Sequence, residues 1–324
     1  MRKLCIVACL FLGLSTTFAQ HYVNPFFDSK GSAGISVSEY IPASNGWNAG
    51  RDTIIKTLHR NEDVVWARYV YRIIDMRMKQ NYQLYFPATP DDPDYRSLFR
   101  VILDAIVDGL PLYVKSSDVG DIKPYFDNDP MPREMVPPIL NTDRDGSMGD
   151  GNIATSDYML LNYDSTITDE KQRMRFNNYS YAGFVRNQYK YLIQEVVFFD
   201  RHTSRMHSKI IGIAPLQADN VSYYDDMPVM DALYGQILFW IAFDDLRPYM
   251  ARQFIIPSQN ETKRVTFDEF FQKRLYSTYL VGEGNMYNRM LPDSHYGYSA
   301  KDIKREQARI EAELLDFEQD LWEY

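Results

Sequence analysis

Cysteine is scarce in this chain. There are two, Cys5 and Cys9, among 324 residues. Both fall in a stretch that reads as a secretory leader. Arg2 and Lys3 make a basic start, and LCIVACLFLGL is an apolar run too short to span a bilayer. Thr17 and Ala19 put small residues at the −3 and −1 positions of a cleavage after Ala19. The expected exported chain therefore carries no thiol, which excludes a disulfide framework and cysteine catalysis. Too little apolar sequence precedes Cys9, and an apolar run follows it, so no lipid-modified cysteine is expected there.

Long hydrophobic runs are missing after the leader, so no transmembrane helix is expected. An excess of positive charge is missing as well. Lys plus Arg number 35 against 44 Asp plus Glu, a net charge of −9, and loss of Arg2 and Lys3 takes it to about −11. That balance argues against nucleic acid and anionic membrane surfaces as partners.

The usual catalytic motifs are absent too. There is no G-x-S-x-G elbow. The GEG at 282–284 lacks the Lys and Ser/Thr of a phosphate loop. Of the five histidines (His21, His59, His202, His207 and His295), only His202 and His207 are close. Their spacing of five fits neither an H-E-x-x-H helix nor a zinc finger, so no metal is expected of them. In NTDRDGSMGDGN, Asn141, Asp143 and Asp145 stand at positions 1, 3 and 5 of a calcium loop, with Gly146 at the turn. Position 12 is Asn152 instead of the bidentate Glu. Asp-Gly clusters also arise simply as turns. No catalytic, cofactor or metal residue is assigned, although 44 acids leave room for an unrecognised carboxylate pair.

What is abundant is aromatic: 25 Tyr and 18 Phe, enough either for a large core or for a core plus protein interfaces. Residues 20–60 read as an extended arm, rich in Gly, Ser and Asn until about 52. Residues 61–324 read as one α+β domain, with an alternative in which 61–116 form a separate lobe and 117–185 a loop-rich insertion. In DVVWARYVYRIIDMRMKQN the spacing predicts an amphipathic helix ending near Asn81. Arg68, Arg72, Asp75 and Lys79 form its charged stripe, and Arg77 intrudes on its apolar face. Three roles for Arg77 stay open: snorkelling from the last turn, capping carbonyls, or reaching a buried carboxylate.

Further on, SLFRVILDAIVDG reads as a helix stopped by Gly109, and LPLYVK as a strand. Residues 189–200 and 206–216 read as an antiparallel hairpin, and GQILFWIAF as a buried strand. DDLRPYMAR reads as a short helix with Pro in its first turn, and QFII as a strand. Thr266 and Glu269 stand at capping-box spacing before another helix. From the Ser299 cap onward, Ile303, Ile310, Leu314, Phe317 and Leu321 make a helical seam, docked on the chain's own sheet or shared with a neighbour. The fold class is α+β: a mixed or antiparallel sheet with flanking helices, an extended N-terminal arm and a C-terminal helix.

Five blocks in order carry a resemblance. DVVWARYVYRIIDMRMKQNYQLYFP has an Asp-Val-x-Trp start, an Ile-Asp core and an Asn-x-x-x-Tyr-x-Pro exit, with Arg77 where the signature has Arg. VVFFD and KIIGIAPL follow. Next come LFWIAFDDLRPYMAR with Phe239, Trp240, Arg247 and Pro248, then FDEFFQKRLYSTYLV with NMYNR, and finally FEQDLWEY. The chain resembles the GldN/PorN family. The resemblance implies a periplasmic, non-enzymatic component of the type IX secretion and gliding-motility machinery. Such a component would self-associate with a GldK/PorK-type outer-membrane lipoprotein into a ring at the inner face of the outer membrane. That ring would contact the inner-membrane GldL/GldM motor, through its GldM/PorM-type protein. The competing expectations are a periplasmic glycan-binding protein or carboxylate hydrolase, and a calcium-stabilised adhesion module built on 141–152.

Overall fold

The computed structural model describes residues 36–40, 53–57, 59–87, 95–114, 124, 126, 129–136, 161–169, 174–176, 190–217, 235–256, 264–284, 290–291 and 300–320. The expected leader, the calcium-like loop at 141–152 and the Ser299 cap lie outside these residues.

The stretch expected to be the opening helix is a strand. β3, Val64–Asp75, runs through the middle of the main sheet, between β10 (Tyr279–Glu283) and β6 (Lys190–Asp200). The reason is burial on both faces. Val70 and Ile74 point one way, Tyr71 and Ile73 the other, and all four are essentially inaccessible. A doubly covered strand loses its period-two alternation, and its apolar residues then mimic helical spacing. The β-branched and aromatic content (Val64, Val65, Trp66, Tyr69, Val70, Tyr71, Ile73, Ile74) was the better guide.

β6 turns through residues 201–204 into β7, Arg205–Gln217, in the antiparallel hairpin that the sequence predicts. β8 (Gln236–Ile237) and β9 (Ile241–Ala242) both pair with β7, where one continuous strand over 235–243 was expected. The full path is β10–β3–β6–β7–β8, antiparallel at every step. The expected strands LPLYVK and QFII shrink to single bridges, Tyr113 with Trp240 and Phe254 with Thr266. Away from the main sheet, β1 (Ser36–Tyr40) pairs with β2 (Thr53–Thr57), and β4 (Leu161–Tyr163) with β5 (Met174–Phe176).

Helices cover the sheet. A single turn, α1 (Tyr82–Tyr85), follows β3. α2, Leu98–Asp108, is capped by Ser97, whose hydroxyl accepts from the Arg100 amide at 3.3 Å. It ends at Gly109, whose φ of 106° needs a residue without a β-carbon. α3 spans Phe243–Arg252, starting earlier than expected, so Pro248 stands inside the helix beyond its first turn. α4, Phe267–Gln272, starts at Thr266, which accepts from the Glu269 amide at 3.2 Å. It stops after six residues because the chain must turn back into β10. Leu103, Ile106, Phe243, Leu246, Phe267 and Phe271 from these helices bury against Ile74, Tyr191, Ile193 and Ile213 of the sheet. On the other face, Tyr71, Ile73, Leu192, Trp240 and Val281 form a second cluster.

The C-terminal helix α5, Ala300–Asp320, docks on the chain's own sheet. Ile310 is buried against Val70, Leu280 and Leu291, with Ile303 and Leu314 beside it, and Phe317 stacks on Trp66 at 4.5 Å. Arg68 and Arg72 do share a face, as strand neighbours four apart. Their partners are Glu283 and Glu313 for Arg68, and Glu195 and Glu311 for Arg72, instead of the local ladder expected of a helix. Arg77 lies in the turn after β3. Its side chain is 65 % exposed, and its guanidinium forks onto the largely buried Asp75 carboxylate, at 2.9 and 2.6 Å. Of the three roles considered for Arg77, the one that reaches a buried carboxylate within the fold is therefore the observed one.

Candidate functional site

The clearest cluster of chemically capable side chains among the described residues lies at the turn end of the β6–β7 hairpin. Strand geometry assembles two of its members. Phe198 and Asp200 are two apart on β6 and point to one face. His207 is paired with Phe198 across the ladder and so joins them there. His59 arrives from before β3. A short 3₁₀ turn, Asn61–Asp63, separates it from the strand, and the Arg201 amide donates to the Asp63 carbonyl at 2.8 Å, tying that turn to the hairpin.

His59, Asp200 and His207 each offer one donor atom, and the three atoms lie within 4.8 Å of one another. Asp200 is fully buried and His59 only 8 % exposed. His59 Nδ1 is 2.7 Å from Asp200 Oδ2. The other carboxylate oxygen accepts from the amides of His202 at 2.8 Å and Thr203 at 3.4 Å. Burial pushes the Asp200 carboxyl up, but these hydrogen bonds and the His59 charge outweigh it and hold the group below the ordinary carboxylate value. His207 shifts down, first through burial and then through the neighbouring His59, with Asp200 only partly opposing. The two imidazoles are 4.6 Å apart between centroids, and both contact the Phe198 ring.

The cluster contains parts of an acyl-transfer triad in an arrangement that does not make one. Thr203 Oγ1 is 2.8 Å from His207 Nε2, the contact of a hydroxyl with its base. The carboxylate orients His59, however, which is the other imidazole. The His202 and Thr203 amides, the local donors for an oxyanion, are spent on Asp200. Two imidazoles and one carboxylate are a donor set that suits ligation better than nucleophilic attack.

Sequence reasoning noticed His202 and His207 as a pair, and the structure separates them. His202 sits in the turn with its side chain in solvent, contributing its backbone amide. His59 is 141 residues from Asp200, so no local spacing could announce it. The visible signal was the hairpin itself. Once its turn is placed at 201–204, Asp200 and His207 fall on one face.

All three residues lie inside the region that comparison with known families identifies. The sequence model of the family described as gliding motility associated protein GldN matches residues 59–323, most of the chain. The chain belongs to the GldN family. GldN proteins are components of gliding motility and type IX secretion, and the match begins at His59 itself. A search of curated proteins finds no match. No helix among the described residues is long and apolar enough to cross a membrane.

Proposed function

We propose that this GldN-family chain is a structural, non-enzymatic part of the type IX secretion and gliding machinery. It is exported to the periplasm and held at the inner face of the outer membrane by a lipoprotein of the GldK/PorK type. With that lipoprotein it self-associates into a ring, which meets the GldM/PorM-type protein of the inner-membrane motor. The observation that carries this reading is the family match over 59–323.

The geometry supports it. Each buried carboxylate among the described residues is committed to a named partner: Asp63 to Arg60, Asp75 to Arg77, Glu195 to Arg72 and Arg274, Asp200 to His59, and Asp268 to Arg247. Carboxylates held this way brace a scaffold, whereas glycoside hydrolysis needs a pair facing a substrate cleft. The test is affinity purification of the tagged chain from detergent-extracted envelopes. The expected product is the chain with a lipoprotein in particles far larger than 38.0 kDa. A clean monomer with no lipoprotein attached contradicts the proposal.

A further inference from the structure

We propose that His59, Asp200 and His207 form a binding site for one divalent transition-metal ion of the zinc class, which pins the segment entering β3 to the turn of the β6–β7 hairpin. The inference stands on the cluster's geometry and is independent of the assembly reading.

Three features of the cluster point to a cation. The donor set is two imidazoles and one carboxylate, the borderline set that zinc accepts. It offers too few oxygens for calcium or magnesium. The ligands come from rigid places: the last residue of β6, its facing strand, and a 3₁₀-anchored segment tied to the hairpin by the Arg201–Asp63 hydrogen bond. The carboxylate also has the support that metal ligands usually have, since its second oxygen is fixed by the His202 and Thr203 amides. The three donors lie within 4.8 Å. Closing them on an ion with bonds of about 2.0–2.2 Å asks for side-chain movements of roughly 1 Å. His207 is the half-buried member of the three, with Thr203 Oγ1 2.8 Å from its Nε2.

The experiment uses the full exported chain, stripped with a chelator and dialysed. Zinc is added and followed by isothermal titration, and cobalt is added and followed by visible absorption. The expected result is one ion per chain and a cobalt spectrum of tetrahedral intensity. At a zinc concentration about 100 times the dissociation constant, the unfolding midpoint should rise by about 5 °C. His207→Gln should weaken binding at least 100-fold and abolish the rise of the midpoint on adding zinc. His202→Gln should bind as the parent does. Absence of stoichiometric binding by the parent overturns the proposal. So does zinc affinity unchanged in both His207→Gln and Asp200→Asn, or loss of binding in His202→Gln.

Discussion

Arg247→Met tests the packing logic of the helical layer most sharply. Arg247 is 4 % exposed and reaches from α3 to Asp268 at the start of α4. Its Nε donates to Oδ1 at 2.7 Å and Nη2 to Oδ2 at 3.4 Å, a two-pronged contact that Lys could not copy. With charge centres about 4 Å apart and an effective dielectric of about 20, the pair couples by about 4 kcal/mol. Stranding one member of a buried pair costs about 3–5 kcal/mol, which agrees. Asp244, which lies 3.8 Å from Arg247, is itself a carboxylate and cannot stand in for the guanidinium that Asp268 loses. Each kcal/mol moves the midpoint of a domain this large by roughly 2 °C, so Arg247→Met should unfold about 6–10 °C below the parent. The double variant Arg247→Met/Asp268→Leu removes both charges and should return to within about 2 kcal/mol of the parent. Part of the remaining deficit is the contribution of about 0.3–1 kcal/mol from an acid in the first turn of α4. Urea and thermal unfolding followed by circular dichroism give both numbers. A single variant within about 1 kcal/mol of the parent, or a double variant as unstable as the single one, refutes the reasoning.

Three further outcomes are expected. Trp66→Ala removes the ring on which Phe317 stacks, a contact worth about 0.5–1.5 kcal/mol beyond its buried area. Amide exchange over 313–320 should accelerate while α2 stays protected, and equal exchange in parent and variant would remove Trp66 as the anchor of α5. For Asp75, burial raises the carboxyl, but the Arg77 hydrogen bonds and charge together leave it below its ordinary value. Its stabilisation is therefore complete above about pH 4 and is lost as pH falls through the lower folded value. The stability gap between the parent and Asp75→Asn should be constant above that pH and narrow below it, and a gap that does not change with pH contradicts the assignment. Because the Arg77 side chain is mostly exposed, Arg77→Lys should cost less than about 1 kcal/mol in urea unfolding.

Elements whose signal is local were legible in the sequence. Gly109 stops α2, Thr266 starts α4, and the period of Ile303, Ile310, Leu314 and Phe317 describes the docked face of α5. The hairpin of β6 and β7 was readable because its turn separates two long β-rich runs. β3 was misread because coverage on both sides erases alternation, leaving Trp66, Tyr69, Val70, Ile73 and Ile74 at helix-like intervals. The error carried over to Arg77, which has no helix to cap and instead folds back two residues onto Asp75. The histidine cluster was half visible. Register places Asp200 beside His207, but only the tertiary fold brings in His59.

The central claim is that a fold with its buried carboxylates committed to internal pairs serves as a building block of an envelope assembly. Electron microscopy of the complex purified from native envelopes tests this most directly. The account predicts rings in which the chain alternates or stacks with a lipoprotein in a fixed repeat. Small, monodisperse particles of the chain alone, from preparations in which the secretion machinery is otherwise intact, would contradict it.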